Sequence, residues 1–240
     1  MDIYFPTSGG PWPVLVYVHG GSWMHGDKSE AAMFAHGMTS QGYLVASINY
    51  RLYPAGTYPA MIQDVKCAIR SLRANSDQYN LDPNRIGAVG VSAGGHLVSL
   101  LGTSDPGIWD VGEYPDQSSR VQAVISMAGV MDLTRSFPTA DIEAMQHIGF
   151  GEDNIVEASP ITHVTEDDPP FLLIHGDMDT VVPVEQSQLM FDSLVQANVL
   201  AQLIIVNNAD HSFIAPNGSA SPTPGEIHQI IVDFLAQHFK

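Results

Sequence analysis

The sequence predicts an α/β fold: a mostly parallel twisted sheet with helices on both faces and no large cap domain. Three observations predict it. Short apolar runs alternate with segments of helical periodicity from end to end, at the spacing of βαβ units. The first clear strand, residues 14–18, is apolar at every position, as suits a strand covered on both faces. Finally, 240 residues, 45% hydrophobic and 15% charged, suit a compact globular core, fit one large domain or two small ones, and read as a single domain over residues 1–240.

The elements follow in order. Residues 14–18 form a strand closed by His19-Gly20-Gly21. Residues 29–41 read as a helix, with Ser29 as N-cap and Gly42 as its stop. A strand over 43–48 is followed by helical spacing over 58–75. The single cysteine, Cys67, lies in that helix and reads as a buried, inert thiol, so the chain holds no internal disulfide. Residues 85–91 form a strand and 93–103 a helix. Strands follow at 121–128 and 171–175, a helix at 184–196, a strand at 203–206 and a closing helix at 226–239. Two stretches, 105–120 and 129–170, lack clear elements beyond a helix expected near 141–148; long excursions of this kind form lids or pocket walls. Residues 216–224, rich in Pro, Ser and Gly, read as a surface loop.

Charge narrows the function classes. Lys and Arg number 9 against 26 Asp and Glu, a formal net charge of −17. Such a surface repels phosphate backbones and anionic lipid, which argues against nucleic-acid and membrane partners. No apolar run reaches the ~18 residues of a membrane span. The start, Met1-Asp2-Ile3-Tyr4-Phe5-Pro6, has no basic n-region and reads as cytoplasmic by default, or secreted if a native start lies upstream.

The chemistry concentrates in four places. Gly90-Val91-Ser92-Ala93-Gly94 falls between a strand and a helix, which puts Ser92 on a sharp turn with its oxygen exposed above a helix N-terminus. A serine hydroxyl needs a base to take its proton and a third group to orient that base. Both occur beyond successive later strands. Asp179 follows the strand at 171–175, where the loop descends through Val181-Val182-Pro183, and its rival Asp177 reads as a turn residue. His211 follows the strand at 203–206. His96, His175, His228 and His238 read as packed or surface histidines. The fourth place is His19-Gly20-Gly21-Ser22-Trp23, where glycines let backbone amides point inward; with the N–H of Ala93 these form an oxyanion hole, and His19 reads as the residue that holds the loop. Trp23, Met24, Met131 and Phe213 are pocket residues by proximity to these motifs. His175 with Asp177 and Asp179 lacks a sensible metal-ligand set, and the chemistry calls for no metal or organic cofactor.

With these motifs the chain resembles the α/β-hydrolase superfamily. Within it the chain is similar to the bacterial esterase group related to hormone-sensitive lipase and to feruloyl or acetyl-xylan esterases (BD-FAE-like). Residues 19–28, 58–102, 115–128 and 167–213 carry the resemblance. It implies Ser92 as nucleophile, Asp179 as acid, His211 as base, and the amides of Gly21, Ser22 and Ala93 as oxyanion donors. The implied reaction is carboxylic-ester hydrolysis through an acyl-enzyme on short-chain acyl esters, carbohydrate or aryl esters among them, so the expected partner is a small-molecule ester. The His19 to Trp23 pattern also resembles arylformamidases, which would make the chain an amide hydrolase. A non-catalytic binding protein of the same fold would be expected to lack a member of the set, and none is lacking. Two departures stand out. Ser22 replaces the third glycine of the commoner His-Gly-Gly-Gly form, and the chain starts close to the strand before His19, so either the sheet is expected to be short by a strand or the native start to lie upstream.

Overall fold

Val14, Val16 and Val18 face one side of a sheet and Leu15 and Tyr17 the other, and this period-2 alternation organises the fold. A computed structural model describes residues 1–239. Its sheet has seven strands in the order β1-β3-β2-β4-β5-β6-β7. These are β1 (Asp2–Tyr4), β2 (Trp12–Val18), β3 (Leu44–Ile48), β4 (Leu81–Val91), β5 (Val124–Met127), β6 (Phe171–Gly176) and β7 (Ala201–Val206). β1 runs antiparallel to β3, pairing Ile3 with Ala46, and the other pairings are parallel. The fold class expected from the alternating pattern is the one observed.

The helices are α1 (Ala32–Ser40), α2 (Ala60–Ala74), the single turn α3 (Ser76–Tyr79), α4 (Ala93–Thr103), α5 (Ala140–Met145), α6 (Glu185–Gln196) and α7 (Pro224–His238). Val65 and Ile69 of α2, Leu97 and Leu101 of α4, and Met190 and Leu194 of α6 pack with Val14, Val16 and Val18 on one face. Ala35 and Met38 of α1 and Ile227, Ile231 and Phe234 of α7 pack with Leu15 and Tyr17 on the other. A parallel sheet covered on both faces explains why β3 is buried at all five positions. No described helix is long and apolar enough to cross a membrane.

The structure departs from the sequence reading at several points. β1 is a strand ahead of Val14 that the pattern did not reveal; three residues are too few to show alternation. The 3-10 turn before α1 is capped by Asp27, not Ser29. The Asp27 carboxylate accepts from the Ser29 amide at 2.9 Å, and Glu30 accepts in return from the Asp27 amide at 3.1 Å, a capping box. Cys67 is half-buried rather than fully enclosed.

The two excursions are tied down by side chains. From α2, Lys66 donates to the carbonyl of Ile108 at 2.7 Å, and Arg70 pairs with Asp110 at 2.6 Å while donating to the Val111 and Glu113 carbonyls. The second excursion carries α5, a π-helical turn (Gln146–Phe150) and a 3-10 turn (Pro160–His163). Gln186 anchors its start by accepting from the amides of Met131 and Asp132 at 2.7 and 2.8 Å.

Candidate active site

Ser92 sits between β4 and α4 with φ 55° and ψ −119°. A residue so placed needs its neighbours to be bare. A Cβ on Gly90 would strike the Gly94 carbonyl, and one on Gly94 would strike the carbonyl oxygen of Val18. The turn is fixed from both ends. The Ser92 amide donates to the Met127 carbonyl at 2.8 Å, and the Ser92 carbonyl accepts from the His96 amide at 2.9 Å, opening α4.

The structure brings Ser92, His211 and Asp179 together from three loops at the C-terminal ends of β4, β7 and β6. Ser92 Oγ–H donates to His211 Nε2 at 2.9 Å, and His211 Nδ1–H donates to Asp179 Oδ2 at 2.6 Å. The other oxygen, Oδ1, accepts from the amides of Val181 and Val182 at 2.8 and 2.9 Å. The Asp179 side chain is fully buried, while that of His211 is 21% exposed. Burial alone would raise the Asp179 carboxyl, but hydrogen bonds from His175, His211 and the Val182 amide outweigh it and hold the group well below the usual carboxylate range. Asp177 is exposed and accepts from the Ala209 amide at 3.3 Å, across the turn.

His175 backs the carboxylate from below. Its Nε2–H donates to Asp179 Oδ2 at 3.1 Å and to the Val182 carbonyl at 2.9 Å. Both partners only accept, so the proton sits on Nε2. Nδ1 then accepts from Ser187 Oγ–H at 2.7 Å. This buried histidine is structural, as its position before the loop suggests.

The loop after β2 turns back over the elbow through Gly21, Ser22 and Trp23, at φ 103°, 50° and 58°. The Gly21 carbonyl accepts from the amides of Met24 and His25, which closes the turn. No described residue accepts from the amides of Gly21, Ser22 or Ala93. Gly20 packs directly on the elbow; a Cβ there would lie 3.0 Å from the Val91 carbonyl oxygen and 3.3 Å from the Ser92 Cβ. His19 is buried, its ring stacked on Tyr50 at 4.5 Å, and Tyr50 Oη–H donates to the His19 carbonyl at 3.2 Å.

One link in this region escaped the sequence reading. Trp23 Nε1–H donates to His96 Nδ1 at 3.2 Å, and His96 Nε2–H donates to the Ala158 carbonyl at 2.8 Å. The pair ties the Gly21–Ser22 turn to α4 and to the second excursion, with Phe150 edge-on to both rings. Burial pushes the His96 imidazole down to about 4, so it stays neutral and keeps both bonds. His96 stands one helical turn after Ser92, yet no sequence signal pairs it with a tryptophan 73 residues away.

A cavity of about 470 Å³ opens above Ser92. Gly20, Gly21, Ser22, Val181, His211 and Phe213 contribute to its wall. Of the four expected pocket residues, Phe213 lines it. Trp23 and Met131 are 1% and 0% exposed and belong to the core, and Met24 packs half-buried against that core. Proximity in sequence could not distinguish the open side of the loop from its packed side. Tyr17, Glu30, Val91 and Ser212 complete the opening. Nothing in the sequence reading singled out Glu30. Burial, with Glu30 close by, pushes the Tyr17 phenol up to about 12 and keeps it uncharged. Among the described residues no three His, Cys, Asp or Glu side chains converge as metal ligands. A hydroxyl, an imidazole and a buried carboxylate in this order can move a proton from oxygen to nitrogen as the oxygen attacks an electrophile.

The chain is similar to known proteins along most of its length. The BD-FAE family model matches residues 1–194. Esterase LipC of Mycobacterium tuberculosis is 38% identical over 199 residues, covering 77% of this chain and 48% of its own. The probable carboxylic ester hydrolase LipM of the same organism is 36% identical, covering 95% and 56%. The chain thus spans about half the length of these curated relatives. Among solved structures, a truncated carbohydrate esterase from gut microbiota superposes with a TM-score of 0.84 at 29% identity, covering 98% of this chain and 89% of that one.

Proposed function

The chain belongs to the BD-FAE family, and from that premise we propose that it hydrolyses carboxylic esters through an acyl-enzyme formed on Ser92. The observation that carries the reading is the unbroken chain from Ser92 Oγ through His211 to the buried Asp179 carboxylate, at 2.9 and 2.6 Å. Ser92 Oγ attacks the ester carbonyl carbon while His211 Nε2 takes its proton. Asp179, kept ionised by its donors, fixes the proton on Nδ1 and stabilises the imidazolium that forms. The amides of Gly21, Ser22 and Ala93 receive the oxyanion; preorganised donors of this kind contribute roughly 3–4 kcal/mol each. His211 then protonates the leaving alcohol and activates a water that releases the acid. Residues 1–240 act as one catalytic domain.

The substrate class we propose is a small ester with a short acyl group. Among the described residues the wall at Ser92 comes from strand ends and the loops that follow them, and a carbohydrate esterase is among the similar structures. The test pairs labelling with turnover. Ser92 should react with a fluorophosphonate probe, and nitrophenyl acetate should be hydrolysed while N-formylkynurenine is not. Preferred turnover of N-formylkynurenine would make the chain an amide hydrolase. A wild-type protein that neither labels nor turns over either compound would overturn the reading.

A further inference from the structure

Beside the Ser92 cavity lies a second, larger hollow of about 560 Å³ between α1 and α7. Its walls are mainly apolar: Met33, Phe34, Ile214, Pro224, Ile227 and Ile231. Val91 and Met127, at the C-terminal ends of β4 and β5, also line it. The two hollows adjoin: Tyr17, Glu30, Val91, Ser212 and Phe213 belong to both walls. Met33, on the rim, is 89% exposed and Ile214 is 64% exposed. Apolar side chains held open to water beside a reactive centre mark a binding surface rather than a packing one.

We propose that this groove binds the alcohol portion of the ester, and that the enzyme selects esters whose alcohol carries an extended apolar chain or ring. The inference rests on the ester-hydrolase reading above. Direction comes from the geometry of the tetrahedral intermediate. Its oxyanion points to the Gly21–Ser22 turn. Its leaving oxygen must lie against His211 Nε2, the atom that returns the proton. The substituent on that oxygen therefore leaves the cavity along the residues after His211, and Ser212, Phe213 and Ile214 are the residues that lead into the groove. The acyl group falls to the Val181 side, which belongs to the smaller cavity alone. Polarity at the junction fits the same occupant. The Glu30 carboxylate, held by the Asp27 amide, disfavours an anionic alcohol, and the neutral Tyr17 phenol leaves the floor uncharged. His228 is the titratable group on the far wall, and a neutral alkyl or aryl group requires nothing of it.

The magnitude follows from area. A fully buried methylene is worth about a fourfold gain in binding; a groove open along one side should yield about half of that logarithmically, near twofold per methylene. Hydrolysis of ethyl, butyl, hexyl and octyl acetates, followed by pH-stat, should then show kcat/KM rising about tenfold or more from ethyl to hexyl. Ethyl esters of butyrate, hexanoate and octanoate should show no such rise. Met33→Glu, at an exposed rim position, should bring the hexyl-to-ethyl ratio down several-fold. A flat or falling alcohol series, or a rise in the acyl series instead, overturns the proposal while the hydrolysis itself upholds the ester reading. Absence of hydrolysis for every ester, with no fluorophosphonate labelling of Ser92, overturns both.

Discussion

Replacing Asp179 by asparagine keeps the shape of the side chain and removes one acceptor, and the structure dictates which one. Oδ1 faces two N–H donors, Val181 and Val182, at 2.8 and 2.9 Å. An amide NH₂ in that place would oppose both, so the asparagine oxygen must stay there. The NH₂ then occupies the position of Oδ2, facing His211 and His175. To accept from it, His211 must present a lone pair on Nδ1, which moves its proton to Nε2. Nε2 can then no longer accept from Ser92 Oγ. The His175 N–H keeps the Val182 carbonyl as acceptor, so the core beneath survives. Loss of the productive tautomer should lower kcat about 10⁴-fold, or 5–6 kcal/mol of barrier. Asp177→Asn retains an acceptor for the Ala209 amide on an exposed turn and should change kcat less than about twofold. The assay is kcat on nitrophenyl acetate at neutral pH, with thermal melts to show that both variants fold. An Asp179→Asn enzyme that keeps more than about a tenth of wild-type kcat, or a larger loss in Asp177→Asn, would refute the assignment.

Four further outcomes are expected. Ser92→Ala should lose fluorophosphonate labelling and retain only the residual rate due to the oxyanion donors and binding; labelling that persists would place the nucleophile elsewhere. On nitrophenyl esters kcat/KM should peak at or below about four acyl carbons, because the gain of ~0.8 kcal/mol per buried methylene stops where the acyl side of the cavity ends; a preference for decanoate would contradict this. Burial holds the His96 imidazole down to about 4, against about 6.5 when unfolded. The folded chain therefore binds fewer protons in that window, and stability falls as pH drops from about 6.5 to 4, by up to about 3 kcal/mol. Urea melts of His96→Gln should show a shallower pH slope, and an unchanged slope would sink the argument. Asp168 behaves in the opposite sense: burial, with Asp167 adding to it, raises its carboxyl to about 6 despite hydrogen bonds from Thr165, so stability is lost as pH rises from about 4 to 6. Asp168→Asn should therefore raise Tm at pH 7 and not at pH 4, and an equal shift at both values would exclude the charge as the cause.

What was legible in the sequence had a local steric cause. The elbow could be read because Gly90 and Gly94 stand where any Cβ would strike backbone. Asp179 could be told from Asp177, two residues earlier in the same loop, because the descent through Val181 and Val182 into α6 begins directly after it. What was illegible depends on distant partners. Residues 105–120 show no periodicity because their carbonyls are met by Lys66, Arg70 and Arg73 of α2 instead of a ladder. Trp23 looked like a pocket residue because it follows the Gly21–Ser22 turn, yet its N–H is claimed by His96 and its ring by Phe150. Tyr17 carries no motif at all; it becomes a wall of both hollows because alternation along β2 turns it toward α1 and α7.

Backbone strain in the described residues has a location, and that location explains how the site holds its shape. Seven non-glycine, non-asparagine residues have positive φ, and five of them follow the C-terminal ends of strands: Ser22 and Trp23 after β2, Ser92 after β4, Ala128 after β5 and Phe213 after β7. Each costs on the order of 1–3 kcal/mol and persists only where surrounding contacts leave no alternative. Those contacts are present. Trp23 is locked to His96; the Ser92 amide is bound by Met127; the Ala128 amide donates to the Ile174 carbonyl at 2.9 Å; the Phe213 amide donates to the Asp210 carbonyl at 2.9 Å. Most of these anchors are strand or helix atoms buried in the sheet core, where movement would break ladder pairing or open a cavity. If Ser92 relaxed to a helical φ, its Oγ would swing away from the 2.9 Å contact with His211 Nε2. The apolar alternation that builds the two-faced sheet is therefore also what keeps the Ser92 hydroxyl within 2.9 Å of the His211 imidazole.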